Sequence, residues 1–379
     1  MLAYLDHAAT TPLRPEAAAA MLPWLTERFG NPSGSHAVSR AARTAVDEAR
    51  DVAAACLGVD PGGIVFTGGG TEADNLAVIG AHRARGGTGR VVCSAVEHHA
   101  VLHASRAVAG EDARVVPVGA DGVIDLDALS AAIDADTAVV SVMLVNNEVG
   151  TIQPLARVAD VVRRRARRAV LHTDAVQAFG WLDVATEAAA ADLVAVSGHK
   201  FGGPQGVGVL AVRGGVALAP VIHGGGQERD RRSGTHNVAG IVGLAAAMQA
   251  TVATRQATAA RTRELRDRLA DRLLATVPGT TETGVRSGKV PGNCHVCFED
   301  VESEALLVLL DDAGVCASAG SACASGAIEA SHVLTAMGIP ERSALGSLRL
   351  SLGETTTADE IDLALKVIPD AVARLRAGG

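Results

Sequence analysis

The sequence predicts an α/β fold with a mostly parallel sheet, followed by a smaller α+β domain. From about residue 60 to residue 215, short apolar runs rich in β-branched residues alternate with helical patterns. Such near-continuous apolar strands are typical of a sheet that is covered by helices on both faces, and sheets of that kind are mostly parallel. Beyond residue 277 the strands and helices no longer alternate regularly, which favours a second domain of mixed type.

The predicted strands of the first domain each end in polar or glycine-rich residues. The strands lie in the runs IVFTGG, RVVCSAV, RVVPV, AVVSVMLVNN, AVLHTDA, DLVAVSGHK and GVGVLAV. Because ligands of open α/β sheets bind outside the carboxyl ends of the strands, we expect the site to be built from these endings. They are residues 67–71, 96–99, 146–148, 174–177 and 197–200.

A long helical pattern covers residues 238–277 and ends before Pro278 and Gly279. We expect it to link a large domain of residues 16–256 to a small domain formed by residues 1–15 and 257–379. The small domain is predicted from the strand NCHVCFEDV, the helices SEALLVLLDDAG and SHVLTAMG, and the strand SLRLSLG. A capping box from Thr357 to Glu360 indicates where its last helix begins.

Composition excludes several classes of protein. The 379 residues carry a formal net charge of −8 and only 2% are aromatic, which argues against a nucleic-acid-binding surface. Six cysteines in this length do not form the dense disulfide framework of a small secreted domain. The first residues lack the basic start of a signal peptide, and no apolar run approaches the ~18 residues of a membrane span. We therefore expect a cytoplasmic protein with no membrane or nucleic-acid partner.

Lys200 is the strongest candidate for chemistry, since it follows a buried strand and is one of only three lysines. Desolvation lowers the pKa of an amine and makes it a nucleophile that can form a Schiff base. Taken alone, a phosphate-binding charge or an ion pair would be the better interpretation. Asp174 ends the preceding strand and should face the same cleft, and a pyridoxal phosphate site requires such a pair, an amine for the aldehyde and an acid for the ring nitrogen. Gln177 could hydrogen-bond to the ring hydroxyl.

The stretch TGGGTEADN provides a possible anion site. Three glycines, among them Gly70, precede a helix, so that free backbone N–H groups and the helix dipole attract a phosphate. Thr71 could add its hydroxyl or cap the helix towards Asp74. Any phosphate ligand, a nucleotide included, would fit this feature alone.

Histidine and cysteine patterns leave further alternatives open. His98 ends a strand and could stack on the cofactor ring or move protons, although a single histidine is more often structural. His99 and His103 have metal-like spacing but no third ligand is apparent, and Cys294 and Cys297 lack a second pair. We therefore expect no metal site.

Cys323 lies in ASAGSACASG, a run of small residues between Gly320 and Gly326. Such a segment indicates a loop that presents the thiol, whereas a cysteine kept for packing usually has bulky apolar neighbours. The residue is either a nucleophile or an ordinary loop cysteine, and the loop alone does not decide between them.

Taken together, the motifs resemble the NifS/IscS-type cysteine desulfurases over essentially the whole chain. Those that carry the resemblance are YLDHAATTP, FGNPSGSH, FTGGGTEADN, VEHHAV, VNNEVGTIQP, TDAVQAFG, SGHKFGGPQGVG, GGGQERDRRSGT, GSACAS and LRLSLG. The resemblance implies fold type I of the pyridoxal-phosphate enzymes, the aspartate-aminotransferase-like class V fold, and a homodimer with active sites at the subunit interface. One departure is Ala330, where the family commonly has proline.

The resemblance also implies a role for each matching residue. Lys200 would form the Schiff base, Asp174 would face the pyridine nitrogen, and His98 would stack on the ring. The ring hydroxyl would be contacted by Gln177 and Asn147, and the phosphate would be held by Gly70, Thr71, Ser197, His199 and, from the other subunit, Thr235. Arg349 and Asn147 would bind the substrate.

For Cys323 the resemblance implies attack on the sulfur of L-cysteine, which leaves a persulfide on the enzyme and releases L-alanine. The sulfur would pass to acceptors such as an iron–sulfur scaffold or a tRNA-thiolation enzyme. Alternatives are a selenocysteine lyase or another class V enzyme, and a non-catalytic sulfur carrier, which would not need an intact cofactor site. A nucleotide-binding oxidoreductase is disfavoured because the G-x-G-x-x-G spacing is missing.

Overall fold

A computed structural model of the chain describes residues 2–319 and 330–378. The strands are β1 (Ala3–Tyr4), β2 (Ile64–Thr67), β3 (Arg90–Ser94), β4 (Ala113–Val116), β5 (Thr137–Ser141), β6 (Val170–Asp174), β7 (Leu193–Ser197), β8 (Gly208–Val212), β9 (Thr280–Glu282), β10 (Asn293–Phe298), β11 (Val315–Cys316) and β12 (Ser347–Ser351). The helices are α1 (Pro15–Thr26), α2 (Ala37–Leu57), α3 (Gly70–Asn75), α4 (Ala81–Ala84), α5 (His99–Ala109), α6 (Leu126–Ala132), α7 (Leu155–Arg165), α8 (Val184–Glu187), α9 (Val238–Thr276), α10 (Ser303–Asp312), α11 (His332–Ala336), α12 (Glu341–Ala344) and α13 (Ala358–Gly378). A π-helical turn, Leu76–Gly80, joins α3 to α4.

The central sheet has seven strands in the order β2-β8-β7-β6-β5-β3-β4. Its neighbours pair in parallel from β7 to β4, whereas β8 runs antiparallel to both β2 and β7. The prediction of a mostly parallel sheet is therefore confirmed. Because β2, β3, β5, β6 and β7 point the same way, their carboxyl ends meet at one edge of the sheet.

Strand β5 is shorter than predicted. The apolar run continues to Val145, but the strand ends at Ser141. The backbone N–H of Met143 donates to the side chain of Glu97 at 2.6 Å, so a carboxyl group takes the place that a neighbouring strand would occupy. On its other side, Val142 and Leu144 still donate backbone hydrogen bonds to His172 and Asp174 of β6, and the segment leads to the edge of the sheet, where the site lies.

Apolar side chains cover both faces of this sheet. One core cluster lies between the sheet and α2, α7 and α9, and a second lies beneath α3, α4 and α5. These strands are buried on both faces, which accounts for their near-continuous apolar sequences.

A separate core lies between the three-stranded antiparallel sheet β12-β10-β9 and the helices α10 and α13. Ala3 and Leu5 belong to it, since β1 pairs in parallel with β11. The predicted capping box is present, with the backbone N–H of Glu360 donating to the Thr357 hydroxyl at 3.3 Å. The domain boundaries at residues 15 and 256 stay a prediction.

Helix α9 connects the two main cores. Ile241, Leu244 and Met248 pack against the large sheet, and Leu269 and Leu273 pack into the core of the small sheet. Among the described helices, α9 is long and apolar enough to suit a membrane span, but half of its most apolar stretch is buried inside the protein. Its apolar character is explained by these two packing sites.

Candidate active site

A cavity of about 400 Å³ lies at the carboxyl edge of the large sheet. Its walls come from the strand ends, from the N-terminal segment and from β12. Ten of the predicted site residues line it: Gly70, Thr71, His98, Asn147, Asp174, Gln177, Ser197, His199, Lys200 and Arg349. Residues that are far apart in the chain are therefore brought together as the strand endings predicted.

Lys200 closes a short 3₁₀ turn that follows β7. Its amine donates hydrogen bonds to the carbonyl oxygens of Ala8 at 2.6 Å and Ala9 at 2.8 Å. Burial, and secondly the nearby Arg349 guanidinium, lower the pKa of Lys200 to about 8. A sizeable fraction of this amine is therefore unprotonated and nucleophilic near neutral pH.

Asp174 is the last residue of β6, and it is buried. One carboxylate oxygen accepts the backbone N–H of Val176 at 2.8 Å. Burial raises the pKa of Asp174 to about 6, and the Val176 hydrogen bond and the charge of Lys200 oppose this rise. An acid in this environment can face a cationic ring nitrogen and remain ionised beside it.

The glycine turn before α3 forms one end of the cavity. Gly69 has a φ of +147° and precedes the first N–H groups of the helix, which have no partner within the helix. A Cβ at Gly70 would lie 2.8 Å from Cγ2 of Val176, so only glycine fits there without a shift. Thr71 lies in the first turn of the helix and does not cap it, because the N-cap position is Gly69.

Ser197 and His199 line the same end of the cavity. The Nδ1 atom of His199 lies 3.1 Å from the hydroxyl of Thr10. Burial and the charge of Lys200 lower the pKa of His199 to about 4, so the ring is neutral at physiological pH. This end of the cavity is therefore lined by backbone N–H groups, hydroxyls and a neutral imidazole.

His98 is the N-cap residue of α5, and its Nδ1 accepts the backbone N–H of Ala100 at 3.1 Å. We therefore assign the proton of the neutral ring to Nε2. The ring of His98 faces the cavity, but the surrounding protein atoms exclude much of the bulk water. This desolvation, and secondly the charge of Lys200, lower the pKa of His98 to about 4. A neutral ring of this kind can stack on a flat ligand or exchange a proton at Nε2.

Arg349 lies on β12 and reaches the cavity from the small sheet. Its guanidinium donates to Asp6 at 2.8 Å and to the carbonyl of Asn147 at 3.1 Å. Its Nε atom is buried and has no hydrogen-bond partner in the described part of the chain. A buried guanidinium with unused donor capacity is suited to bind a carboxylate.

The N-terminal segment is the part of the site that residue-by-residue reasoning missed. The carbonyl of Ala8 accepts hydrogen bonds from the side chains of both Lys200 and Gln177. The Thr11 hydroxyl donates to the carbonyl of His199 and accepts the backbone N–H of Gly202. The motif YLDHAATTP was visible in the sequence, but a main-chain carbonyl has no side-chain signature. Asp74, Met143, Val176 and Ser318 also line the cavity without having been predicted.

Two predicted residues are not placed in this cavity. Thr235 is exposed and does not contribute to the cavity wall. Cys323 lies outside the described residues. Of the five other cysteines, Cys294 and Cys297 pack into different core clusters, as expected for i and i+3 on a strand. No group of three potential metal ligands occurs within residues 2–319 and 330–378.

The donor set fits pyridoxal phosphate. A phosphate could accept hydrogen bonds from the backbone N–H groups at Gly70, where the absence of a side chain leaves space for it. An aldehyde could react with the amine of Lys200. A protonated ring nitrogen would meet the buried carboxyl of Asp174. Gln177 donates its amide nitrogen to Ala8, which leaves the amide oxygen available as an acceptor.

Comparisons with known proteins agree with this chemistry. Residues 3–364 match the model of the class V aminotransferase family. The chain is 43% identical over 376 residues to the cysteine desulfurase IscS of Methanosarcina thermophila, covering 98% of this chain and 92% of the relative. It is 46% identical over 385 residues to the IscS-like cysteine desulfurase of Mycobacterium tuberculosis, covering 99% and 97%. A solved NifS-like protein superimposes with a TM-score of 0.92 at 35% identity, covering 99% of this chain and 100% of the other.

Proposed function

Because the chain belongs to the class V aminotransferases and, within them, to the cysteine desulfurases of the NifS/IscS type, we propose that it removes sulfur from L-cysteine and releases L-alanine. Enzymes of this family depend on pyridoxal phosphate. The observation that carries the proposal is the single cavity that holds an amine, a buried acid, a glycine cradle and a guanidinium. A non-catalytic sulfur carrier would have no need for this set.

The cofactor would be held by residues already described. Lys200 would bind its aldehyde, and Asp174 would face its ring nitrogen. The remaining contacts would come from Gly70, Thr71, Ser197 and His199 for the phosphate, from Gln177 and Asn147 for the ring hydroxyl, and from His98 for the face of the ring. When bound, the cofactor supplies an electron-accepting ring that labilises bonds around the α-carbon of the substrate.

Arg349 would orient the substrate by its carboxylate. Asp6 and the Asn147 carbonyl fix the guanidinium from two sides, so its direction is set before substrate arrives. A charge-assisted hydrogen bond in a buried site contributes about 1.5–3 kcal/mol. This group therefore favours amino acids with a free α-carboxylate.

Two groups would move protons during the reaction. The amine of Lys200, with a pKa of about 8, can lose and regain a proton near neutral pH. His98 is neutral and carries its proton at Nε2, from which it can donate to or accept from a bound substrate. Both groups line the same cavity, so neither needs a second pocket.

The sulfur acceptor would be Cys323, on the basis of the sequence. Its thiolate would attack the sulfur of the bound cysteine, forming an S–S bond while the C–S bond breaks. The electron pair of the C–S bond stays with the substrate carbon, which then takes up a proton to become the methyl group of alanine. The persulfide on Cys323 would pass its outer sulfur to an acceptor, such as an iron–sulfur scaffold or a tRNA-thiolation enzyme.

We extend the proposal to a cytoplasmic homodimer. The exposed position of Thr235 would suit contact with the phosphate of the partner's site. The large domain would span residues 16–256, and the small domain would combine residues 1–15 with 257–379. The core around β10 and β12, which includes Ala3 and Leu5, supports this division.

The decisive experiment pairs two substitutions with matched controls. Lys200→Ala should abolish the visible absorbance of the bound cofactor, whereas Lys366→Ala, at an exposed lysine, should keep it. Cys323→Ser should keep that absorbance but stop sulfide release from L-cysteine in the presence of a reductant, whereas Cys316→Ser should release sulfide normally. Sulfide output from Cys323→Ser at the wild-type rate would reject the role of this thiol, and retained absorbance in Lys200→Ala would reject the cofactor site.

A further inference from the structure

Thr235 is the predicted phosphate contact that the active-site cavity does not include. The residue is exposed, and its side chain has no hydrogen bond within residues 2–319 and 330–378. An exposed hydroxyl contributes most to binding when its position is fixed before the ligand arrives, because less conformational entropy is then lost. The surrounding residues, 226–236, provide such fixation, and we call them the Thr235 loop.

Side chains hold both chain neighbours of Thr235. On one side, the amide oxygen of Gln227 accepts the backbone N–H of Gly234 at 2.8 Å. On the other side, Nε2 of His236 lies 2.7 Å from Oε1 of Glu228. The two arms of the loop are thus joined just before and just after Thr235, so the backbone between these contacts has little freedom.

The second of these contacts is tied to the core around the large sheet. Glu228 forms two hydrogen bonds with Arg50 of α2, at 2.9 and 2.6 Å, and accepts the backbone N–H of Phe66 in β2 at 2.9 Å. A carboxylate paired in this way with a guanidinium is ionised and has only acceptors, so Nε2 of His236 is the donor. The end of the loop is therefore fixed to a helix and a strand of the large sheet.

The backbone of the loop is also strained. Glu228, Arg229 and Asp230 have φ values of 51°, 57° and 62°, a region that non-glycine residues rarely adopt without support from their surroundings. The buried Ser233 supplies part of that support, because its hydroxyl accepts the backbone N–H of Gly226 at 3.3 Å. Backbone strain that is held in this way is common where a segment presents a functional group.

We propose that Gln227 and the Arg50–Glu228–His236 cluster are positioning residues that hold the Thr235 hydroxyl for the cofactor phosphate of the partner subunit. The assignment to a phosphate rests on the proposed function and extends it to four further residues. Thr235 lines neither the active-site cavity nor the adjoining pocket at the glycine turn of its own subunit. Because the loop is held in this position, the hydroxyl can complete a phosphate site only in a second copy of the chain.

Two ligands that differ only in the phosphate group, pyridoxal phosphate and pyridoxal, test the proposal. Each is titrated into full-length, cofactor-depleted protein, and the visible absorbance of the bound form gives the Kd. Thr235→Ala should raise the Kd for pyridoxal phosphate at least about tenfold, because a hydrogen bond to a charged group is lost. Gln227→Ala and His236→Ala should each raise it about two- to tenfold. The Kd for pyridoxal should stay at the wild-type value in all three variants.

Gln256→Ala is the matched control, because Gln256 is an exposed glutamine on α9, outside the loop. Both of its Kd values should equal those of the wild type. Equal losses of affinity for pyridoxal phosphate and for pyridoxal in Gln227→Ala would indicate a general structural effect and would overturn the proposal.

The double variant Gln227→Ala with Thr235→Ala shows whether Gln227 acts through Thr235. It should bind pyridoxal phosphate as tightly as Thr235→Ala alone, whereas additive losses would contradict the proposal. An unchanged Kd in Thr235→Ala would reject the phosphate role of Thr235 in the proposed function, and the positioning role with it. A weakened Thr235→Ala beside a normal Gln227→Ala would reject the positioning role alone.

Mixed dimers, purified with a different tag on each subunit, show which active site the loop serves. Lys200→Ala in one subunit removes the absorbance of its site, so only the site of the other subunit is observed. With Gln227→Ala in the Lys200→Ala subunit, the observed site should bind pyridoxal phosphate more weakly. With Gln227→Ala in the subunit that keeps Lys200, its Kd should equal that of a dimer carrying Lys200→Ala alone. The opposite pattern would place the effect within one subunit and overturn the proposal.

Discussion

The amine of Lys200 donates a hydrogen bond to the carbonyl oxygen of Ala8 at 2.6 Å, although 192 residues separate them in the chain. The same carbonyl accepts the side-chain amide of Gln177 at 2.8 Å. The N-terminal segment therefore determines where the amine points. Removal of this segment should leave the nucleophile without its acceptors, even though no side chain of residues 8 and 9 takes part.

We expect capture of pyridoxal phosphate by the cofactor-free protein to depend on pH through Lys200. Its pKa is lowered to about 8, and the reactive form is the unprotonated amine, so the capture rate should rise with pH and level off above about pH 8. Arg349→Gln removes the positive charge that is the second cause of the lowered pKa of Lys200. The midpoint of the rate–pH curve should therefore move to higher pH. Stopped-flow absorbance measures the rate.

Arg268→Gln is the control for that shift, because Arg268 pairs with Asp362 on the surface, away from the cavity. Its midpoint should equal that of the wild type. A midpoint for Arg349→Gln that stayed in place or moved to lower pH would contradict the electrostatic explanation.

Gly70→Ala should weaken cofactor binding by steric conflict. The new Cβ would lie 2.8 Å from Cγ2 of Val176 and 3.4 Å from Cβ of Ser197. Overpacking of this kind costs about 1–3 kcal/mol, which corresponds to a Kd at least about fivefold higher. Equilibrium titration with pyridoxal phosphate, followed by absorbance, gives the value.

The double variant Gly70→Ala with Val176→Ala removes the conflicting methyl group and should recover most of the affinity. Val176→Ala alone provides the reference state. If the double variant bound no more tightly than Gly70→Ala, the contact with Val176 would not be the cause.

Glu228→Gln should destabilise the fold. Arg50 and Glu228 form a buried ion pair with two hydrogen bonds, of 2.9 and 2.6 Å, and Glu228 also accepts the backbone N–H of Phe66. It begins a stretch of three non-glycine residues with positive φ, from 51° to 62°, which few residues adopt without support. Loss of one buried partner costs about 3 kcal/mol, which denaturant titration at neutral pH should detect.

The control is Asp362→Asn, at the exposed pair with Arg268, for which we expect the free energy of unfolding to fall by less than about 1 kcal/mol.

The pH dependence of stability provides a second test of the Glu228 ion pair. Burial alone would raise the pKa of Glu228, but hydrogen bonds from His236 and Arg50 hold it at about 2. Because this pKa is lower in the folded than in the unfolded protein, its stabilisation is complete above pH 4.5 and is lost as the pH falls towards 2. Equal acid sensitivity of wild type and Glu228→Gln would contradict this account.

Much of the fold follows from local patterns. The apolar runs that end at Thr67, Asp174 and Ser197 predict strands, and the order of strands and helices predicts the parallel sheet, which the structure confirms. The end of β5 was not predictable in this way, because it depends on the contact between Met143 and Glu97, which are 46 residues apart. A hydrophobic run cannot show that a carboxyl group will replace a neighbouring strand.

The same division applies to the site. Residue types and spacing point to Lys200, Asp174 and the glycine cradle, since an amine, an acid and an anion site are each recognisable where a strand ends. The burial of Asp74, Glu97 and His172 was not predicted, although all three residues can be read from the sequence. Polar side chains in strands and helices are usually solvent-exposed, and only packing shows that these are buried together.

By itself, the sequence determined which functional groups lie at the ends of the strands and which ligands a cavity built from them can bind. Only the tertiary structure decided that a main-chain carbonyl from the N-terminus accepts a hydrogen bond from the amine, and that the carboxyl groups of Asp74, Glu97 and Asp174 are buried near one another. The physical reason is that residue identity is a local property, whereas hydrogen-bond acceptance by the backbone and the ionisation of a buried acid depend on which distant groups surround them.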